Sequence, residues 1–179
     1  MSKLGGWEFN PSVTSMPQKV IVGLEHLKEL LGAKYKYIAY LGKQEVNGTN
    51  YAVLVEQTVI TGEDVKNAAI AVFNEKSNST DVALVDIFRI VDGGGKLGGT
   101  NVNMTTEIPE EAQKIFDEAL SNFVGSNIKP IAFVGTKVVK GIDYKFVATI
   151  APVVPNAVTD VVVVTVNSFE KAIKIEKIF

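Results

Sequence analysis

Gln44-Glu45-Val46-Asn47-Gly48-Thr49-Asn50-Tyr51 joins two apolar-rich runs of the chain, residues 37–41 and 51–55. Asn47-Gly48 within it is a strong signal for a tight hairpin, because both residues accept a positive φ at low cost. The stretch therefore predicts two antiparallel strands joined by a polar turn that exposes Val46 to solvent. Such a turn adds little to a core, so we expect it to contact another molecule.

The composition is that of an ordinary globular protein without a strong charge. Of the 179 residues, 46% are hydrophobic and 21% are charged, and the formal net charge is -2. This balance favours neither nucleic acid nor a membrane surface as a partner. No apolar run is long enough for a signal peptide or a membrane span. A cytoplasmic location is the simplest expectation, and a secreted protein whose leader has been removed stays open.

The residue types present disfavour catalysis. The chain contains no cysteine, which excludes disulfides, thiolate metal sites and a cysteine nucleophile. His26 is the single histidine, and we interpret it as structural or solvent-facing, so no Ser-His-Asp set is expected. The acidic residues lack metal-ligand spacing, and residues 93–99 lack the Gly-Lys-Ser/Thr ending of a phosphate loop. We expect no enzyme activity, no catalytic residue, no metal and no cofactor.

The sequence repeats at a shift of 93 residues. Lys3-Leu4-Gly5-Gly6 recurs as Lys96-Leu97-Gly98-Gly99. Residues 37–51 fall on residues 130–144 with six of fifteen positions identical, where unrelated sequences would share about one in fifteen. Asp92-Gly93-Gly94-Gly95 has the composition of a flexible linker. The sequence therefore predicts a tandem duplication, with domains at residues 1–92 and 93–179 and a glycine-rich linker at about 92–99.

Each repeat predicts one helix followed by four strands. Proline at the start and glycine at the end bound the predicted helices, residues 17–32 and 109–125. Beside a short strand at residues 7–10, strands are expected near 35–46, 49–60, 67–74 and 82–91, and near 128–139, 142–153, 158–167 and 170–178. Short turns between them favour an antiparallel meander. The predicted fold class is α+β, with a four- to five-stranded antiparallel sheet wrapped around one helix in each repeat.

Apolar residues at helical spacing predict the face of each helix that packs on its sheet. The two stripes are Val20, Leu24, Leu27 and Leu31, and Ala112, Phe116, Ala119 and Phe123. Trp7 is expected to anchor the core over the sheet, and Phe169 is compatible with a buried strand position.

These residues resemble a known family, the cystatins, which are protein inhibitors of papain-like cysteine proteases. Cystatins carry Gln-x-Val-x-Gly on their first hairpin and then a tyrosine-containing strand, which here reads Gln44 to Gly48 followed by Tyr51. Their N-terminal trunk has an apolar residue before a glycine, matched by Leu4-Gly5-Gly6. The order of strand, helix and meander is also similar in both repeats. The absence of cysteine and of a recognisable leader resembles the disulfide-free stefin branch.

The resemblance implies a reversible, non-covalent inhibitor that fills a protease cleft as a steric wedge. Leu4 would enter an apolar subsite, Gly5 would let the trunk bend close to the enzyme, and Val46 would supply apolar contact. Preformed loops of this kind lose little entropy on docking. The implied protease-binding residues are Leu4, Gly5, Gly6, Gln44, Glu45, Val46, Asn47 and Gly48. The implied partner is a papain-like cysteine protease.

Each repeat departs from the family pattern at a different place. The second hairpin of cystatins usually shows Pro-Trp, whereas repeat 1 has Glu75-Lys76 and repeat 2 has Ser168-Phe169. Repeat 2 also replaces the glutamine by Lys137, and its trunk follows the linker. The weaker equivalents that repeat 2 offers are Leu97, Gly98, Gly99, Lys137, Val139, Gly141, Ser168 and Phe169.

Other interpretations stay open beside inhibition. A duplicated cystatin-like scaffold that binds another protein, or assembles with itself, would account for the missing Pro-Trp and for Lys137. Residues 44–48 also fit an ordinary hairpin turn, and residues 4–6 fit a frayed start. A ligand-binding or enzymatic variant would require a polar pocket between helix and sheet. Cystatins are known to exchange elements between chains, so a monomer and a domain-swapped dimer are both compatible with the resemblance.

Overall fold

The structure is a computed structural model and describes residues 5–94 and 98–179. The chain divides into two compact units, Met1–Val91 (unit 1) and Asp92–Phe179 (unit 2). The boundary predicted from the repeat lies one residue further along the chain, between Asp92 and Gly93.

The described part of unit 1 contains one helix and five strands. In chain order these are β1 (Trp7–Ser12), α1 (Gln18–Lys28), β2 (Ala33–Val46), β3 (Gly48–Val59), β4 (Val65–Glu75) and β5 (Val82–Val91). The strands form one sheet in the order β1-β2-β3-β4-β5, and every neighbouring pair is antiparallel. Each strand therefore pairs with its neighbour in the chain, as a meander requires.

Unit 2 repeats this arrangement. Its described elements are β6 (Asn101–Thr105), α2 (Glu110–Leu120), β7 (Ser126–Val139), β8 (Gly141–Pro152), β9 (Asp160–Asn167) and β10 (Ile173–Lys177). The sheet order is β10-β9-β8-β7-β6, again with antiparallel pairs. The starts of β7 and β8 fall on the starts of β2 and β3 at the shift of 93 residues. The predicted antiparallel sheets are confirmed in both units.

The predicted fold class, α+β, is wrong, because the protein is mostly β. In the part of the chain that the structure describes, about 55% of the residues lie in strands and 13% in helices. The helices are shorter than predicted, since α1 ends at Lys28 and α2 ends at Leu120. In unit 1, Gly32 lies between α1 and β2 and adopts a φ of +86°. Ala33 then pairs with Val59 and begins β2, so residues 29–32 of the predicted helix form the connection between α1 and the sheet.

The core of unit 1 lies between α1 and one face of the sheet. Val20 and Leu27 are buried there against Phe73 of β4. Gly23 lets the helix approach the sheet closely, since a Cβ at this position would lie 2.6 Å from the Phe73 ring. Leu31 is 98% exposed, so its predicted place in the apolar stripe is wrong. The helix has already ended at Lys28, and the periodicity no longer applies at Leu31.

The core of unit 2 has the same layout, with three buried aromatic side chains instead of one. Ala112 and Phe116 of α2 are buried, and the Phe116 ring meets Phe146 edge-on with centroids 4.9 Å apart. Ala119 packs against the same cluster. Phe123 lies beyond the end of α2 and is 38% exposed, so its predicted core position is wrong.

Candidate functional site

The first tip of unit 1, residues 44–48, comprises the end of β2, the turn residue Asn47 and the start of β3. Val46 pairs with Gly48, so Asn47 is the single residue between paired positions. Gly48 has a φ of +97°, whereas Asn47 does not adopt a positive φ, so only one of the two residues uses the conformation that made the pair a hairpin signal. Hairpin loops with glycine at one left-handed position require no unusual conformation of the residue before it. Val46 is 48% exposed at this turn.

Gly5 of the trunk is hydrogen-bonded to the first tip. The Gly5 N–H donates to the carbonyl oxygen of Glu45 at 3.2 Å, and Gln44 Nε2 donates to the carbonyl oxygen of Gly5 at 2.8 Å. Gly5 has a φ of +84°, a backbone conformation that favours glycine. Gly6 is exposed beside it, and Leu4 lies outside the described residues. The structure thus brings the predicted glycine of the trunk and the predicted glutamine of the tip together.

The second hairpin of unit 1, residues 76–81, lies against the first tip. A Cβ on Gly48 would collide with the carbonyl oxygen of Glu75 and would lie 3.1 Å from the Cα of Lys76. A groove of about 460 Å³ between the two turns is lined by Val46 and Glu75, among others. Trunk, first tip and second hairpin therefore lie side by side at one end of the sheet. We call this row of turns the unit 1 edge.

Glu75 connects the second hairpin to α1 and β3. Lys19 Nζ lies 2.9 Å from Glu75 Oε1, and the Tyr51 hydroxyl donates to Glu75 Oε2 at 3.0 Å. The hydrogen bonds from Lys19 and then Tyr51 lower the pKa of the Glu75 carboxyl below its usual value. Burial, together with the bond to Glu75, raises the pKa of Tyr51 to about 12. Where the resemblance implied Pro-Trp, the chain instead has Glu75 in an ion pair with Lys19 and a hydrogen bond with Tyr51. These contacts, which we call the Glu75 contacts, were not predicted from the sequence.

The Glu75 contacts predict acid sensitivity of unit 1. Because the pKa of Glu75 is lower in the folded state, the stabilisation is present above the unfolded pKa and is lost as the pH falls through the folded pKa. We expect Glu75→Gln to reduce the acid dependence of unfolding in this range. The measurement is the denaturant midpoint from neutral to strongly acidic pH, with Glu63→Gln at an exposed position as control. The prediction would be contradicted if the denaturant midpoints of wild type and Glu75→Gln fell equally as the pH is lowered.

The unit 2 edge consists of two turns. They are the first tip, residues 137–141, and the second hairpin, residues 168–172 between β9 and β10. Gly141 has a φ of +87°, and a Cβ there would lie 2.8 Å from the Cβ of Phe169. Ser168 joins the turns, since its N–H donates to the Ile142 carbonyl at 2.8 Å and its Oγ accepts the Ile142 N–H at 2.9 Å. The oxygen Oδ1 of Asn167 accepts the backbone N–H of Phe169 at 3.0 Å. The two turns are thus held in place by hydrogen bonds.

The unit 2 edge exposes more apolar surface than the unit 1 edge. Val138 is 75% exposed, Phe169 is 65% exposed and Val139 is 41% exposed. The ammonium of Lys140 lies 4.9 Å from the centroid of the Phe169 ring. Phe169 belongs to a turn, so its interpretation as a buried strand residue is wrong. The sequence signal for this surface was the adjacent pair Val138-Val139, because neighbours in a strand point to opposite faces.

The second trunk lies beside the linker. Gly98 has a φ of +94°, close to that of Gly5. Gly99 packs on Gly94, where a Cβ on Gly99 would lie 2.7 Å from the Gly94 carbonyl oxygen. The Gly94 N–H donates to the Thr100 carbonyl oxygen at 3.1 Å. Leu97 lies outside the described residues.

The remaining sites considered from the sequence have structural explanations. His26 Nε2 lies 2.8 Å from the carbonyl oxygen of Val82, which ties α1 to β5. Across residues 5–94 and 98–179, no three His, Cys, Asp or Glu side chains are grouped to hold a metal ion. Neither helix of the described chain is long and apolar enough to cross a membrane.

No protein-family model matches the chain, and no curated protein shows significant similarity to it. Function is therefore inferred from the residues and geometry of the two edges.

Proposed function

We propose that the protein is a reversible, non-covalent inhibitor of papain-like cysteine proteases, which it blocks by inserting the unit 1 edge into the protease cleft. The observation that supports this function is the row of three adjacent turns at one end of one sheet. Gly5 is hydrogen-bonded to Glu45 and Gln44, and Gly48 lies against Glu75. Three neighbouring turns form a wedge, and a wedge closes a cleft without any reacting group.

The proposal includes kinship with the cystatins, as two tandem, disulfide-free, stefin-like domains. The order of strand, helix and four strands in each unit supports it, as does the meander order of each sheet. The position of Gln44, Val46 and Gly48 on the hairpin between β2 and β3 supports it as well.

Preorganisation is the energetic basis of this function. Ordering a flexible side chain on binding costs about 0.5–1.5 kcal/mol, and hydrogen-bonded turns avoid much of that cost. Val46 is 48% exposed, so covering the rest of its side chain would contribute about 1 kcal/mol. The inhibitor is reversible because each of these contributions is small and no covalent bond forms.

Val46→Asp should weaken inhibition by about 30-fold or more, because an unpaired carboxylate forced into an apolar contact costs at least about 2 kcal/mol. The matched control is Val139→Asp, which makes the same change at the equivalent position of unit 2. Gly5→Glu should also weaken inhibition, with Gly98→Glu as its control. The measurement is the inhibition constant of the full chain against papain.

Three results would contradict the proposal. Wild-type chain that does not inhibit papain or a cathepsin at micromolar concentration removes the function. Loss of inhibition in Val139→Asp but not in Val46→Asp would assign the wedge to unit 2. If all four variants inhibited papain as strongly as the wild type does, the contact with the protease would lie away from both edges.

The second candidate function is a non-inhibitory module that binds another protein or assembles with itself. The unit 2 edge favours this function, because Val138 and Phe169 are exposed there beside Lys140. Lys137 also replaces the glutamine that unit 1 has at the equivalent position, Gln44. A panel of cysteine proteases that remain active, together with capture of one purified partner that Phe169→Asp no longer binds, would support this alternative. Protease inhibition that is unaffected by Phe169→Asp would contradict it.

A further inference from the structure

A line of side-chain amides crosses the unit 1 sheet from β4 to the trunk. Asn74 Nδ2 donates to Asn50 Oδ1 at 2.8 Å, and Asn50 Nδ2 donates to Gln44 Oε1 at 3.0 Å. Gln44 Nε2 then donates to the carbonyl oxygen of Gly5 at 2.8 Å. Gln44 lies opposite Asn50, and Asn50 lies opposite Asn74, so the three side chains leave the same face of the sheet. We call Gln44, Asn50 and Asn74 the amide row.

The amide row has a fixed direction. The Gly5 carbonyl can only accept a hydrogen bond, so Gln44 must present Nε2 to it and Oε1 to Asn50. Asn50 must then present Nδ2 to Gln44 and Oδ1 to Asn74, which donates. Asn74 on β4, two strands from Gln44, is therefore the donor that begins a chain of hydrogen bonds ending at the trunk carbonyl.

The equivalent positions of unit 2 do not support such a row. At the shift of 93 residues they are Lys137, Asp143 and Asn167. Asn167 Nδ2 donates to Asp143 Oδ1 at 2.8 Å and also contacts the Lys140 carbonyl at 3.2 Å. An ionised carboxylate accepts hydrogen bonds but donates none, so the direction ends at Asp143. The two edges therefore differ in how their trunks are held as well as in their turn residues.

We propose that Asn50 and Asn74 are positioning residues that hold Gly5 of the trunk through Gln44, so that the unit 1 edge meets its partner with the trunk already in place. Neither asparagine needs to touch the partner. The effect on inhibition rests on the proposed function, whereas the positioning of Gly5 does not. Trunk placement that is set before binding lowers the entropy cost of docking.

Asn74→Asp tests the row because it should reverse its direction. An aspartate at this position cannot donate, so the Asn50 amide turns its Nδ2 toward β4 and its Oδ1 toward Gln44. Gln44 then turns Nε2 toward Asn50 and presents Oε1 to the carbonyl oxygen of Gly5. Two acceptors face each other there, and the trunk is released.

The direct measurement is the solvent-exchange rate of the Gly5 amide in the full chain, followed by NMR. Loss of one hydrogen bond of ordinary strength should raise the exchange rate by about five-fold. Trp7 is the single tryptophan and pairs with Gln44, so its fluorescence quenching by acrylamide should rise as well. Gln44→Glu should have the same effects, since its carboxylate cannot donate to Gly5 either.

Asn78→Asp is the matched control. It makes the same change of charge in the neighbouring second hairpin, at an exposed residue with a φ of 60° that lies outside the amide row. We expect wild-type Gly5 exchange and wild-type Trp7 quenching in this variant. Thermal unfolding of each variant separates release of the trunk from loss of the fold. Gln44→Glu replaces Asn74→Asp if the latter unfolds.

The outcomes separate this inference from the proposed function. Unchanged Gly5 exchange in both Asn74→Asp and Gln44→Glu would overturn the positioning role, whatever the inhibition. Faster exchange in these variants with wild-type inhibition of papain would overturn the link to partner binding. Faster exchange with weaker inhibition would support both. If the wild type does not inhibit papain, the proposed function is removed and the exchange rates still decide whether the row holds the trunk.

Discussion

Gly48→Ala is expected to destabilise the chain by about 2 kcal/mol or more and to reduce papain inhibition by about 30-fold. Gly48 has a φ of +97°, a conformation that L side chains rarely adopt. Its new Cβ would also collide with the carbonyl oxygen of Glu75, which is backbone and cannot turn aside. The first tip and the second hairpin would separate, and the wedge would lose its shape. Denaturant unfolding and the inhibition constant measure the two effects.

Gly62→Ala separates strain from collision in this experiment. Gly62 also has a positive φ, of +62°, but a Cβ there would meet nothing within 4 Å. We expect the control to lose only about 1–2 kcal/mol of stability from backbone strain and to inhibit papain as the wild type does. Equal midpoints for Gly48→Ala and Gly62→Ala would show that the contact between Gly48 and Glu75 is not tight.

Phe146→Ala is expected to lower the stability of unit 2 by about 3–5 kcal/mol. Its side chain is fully buried and meets two aromatic rings, Phe116 at 4.9 Å and Phe133 at 5.5 Å between centroids. Truncation removes the transferred surface and leaves a cavity that these rings cannot fill. The loss is a large part of the stability of an ordinary domain, so the unfolding midpoint should shift by several degrees or more.

The control for Phe146→Ala is Phe169→Ala in the same unit. Phe169 is 65% exposed, and its removal should change the unfolding free energy by no more than about 0.5 kcal/mol. Similar losses for the two variants would mean that the Phe169 ring packs into a core, contrary to the structure.

The short-range patterns of the sequence were sufficient for most of the strands and their order, although they did not predict β6. Apolar runs separated by Gly48 and Gly141 predict neighbouring strands, and neighbours in the chain pair in both sheets. The same patterns overestimated the helices. Leu31 fits the helical spacing of Val20, Leu24 and Leu27, yet it lies after the helix and is exposed. Periodicity shows which side chains are apolar, but it does not show at which residue the helix ends.

The candidate site was predicted in part. Residues 44–48 form a turn beside Gly5, as the motif led us to expect. The Glu75 contacts with Lys19 and Tyr51 and the amide row were not predicted, because the residues that form them lie far apart in the chain. No local pattern marks Asn50 or Asn74 as special, since asparagine is common in and beside turns.

By itself the sequence predicted a duplicated chain, and it determined that the strands form antiparallel meanders and that a glycine turn ends the longest strand pair of each unit. These features are local or repetitive, and a glycine at a positive φ or an apolar run can be recognised from its immediate neighbours. Only the tertiary structure decided where each helix stops, which turns lie against one another and which donor faces the carbonyl of Gly5. Register across strands sets those contacts, and register joins residues as distant as Gly5 and Gln44.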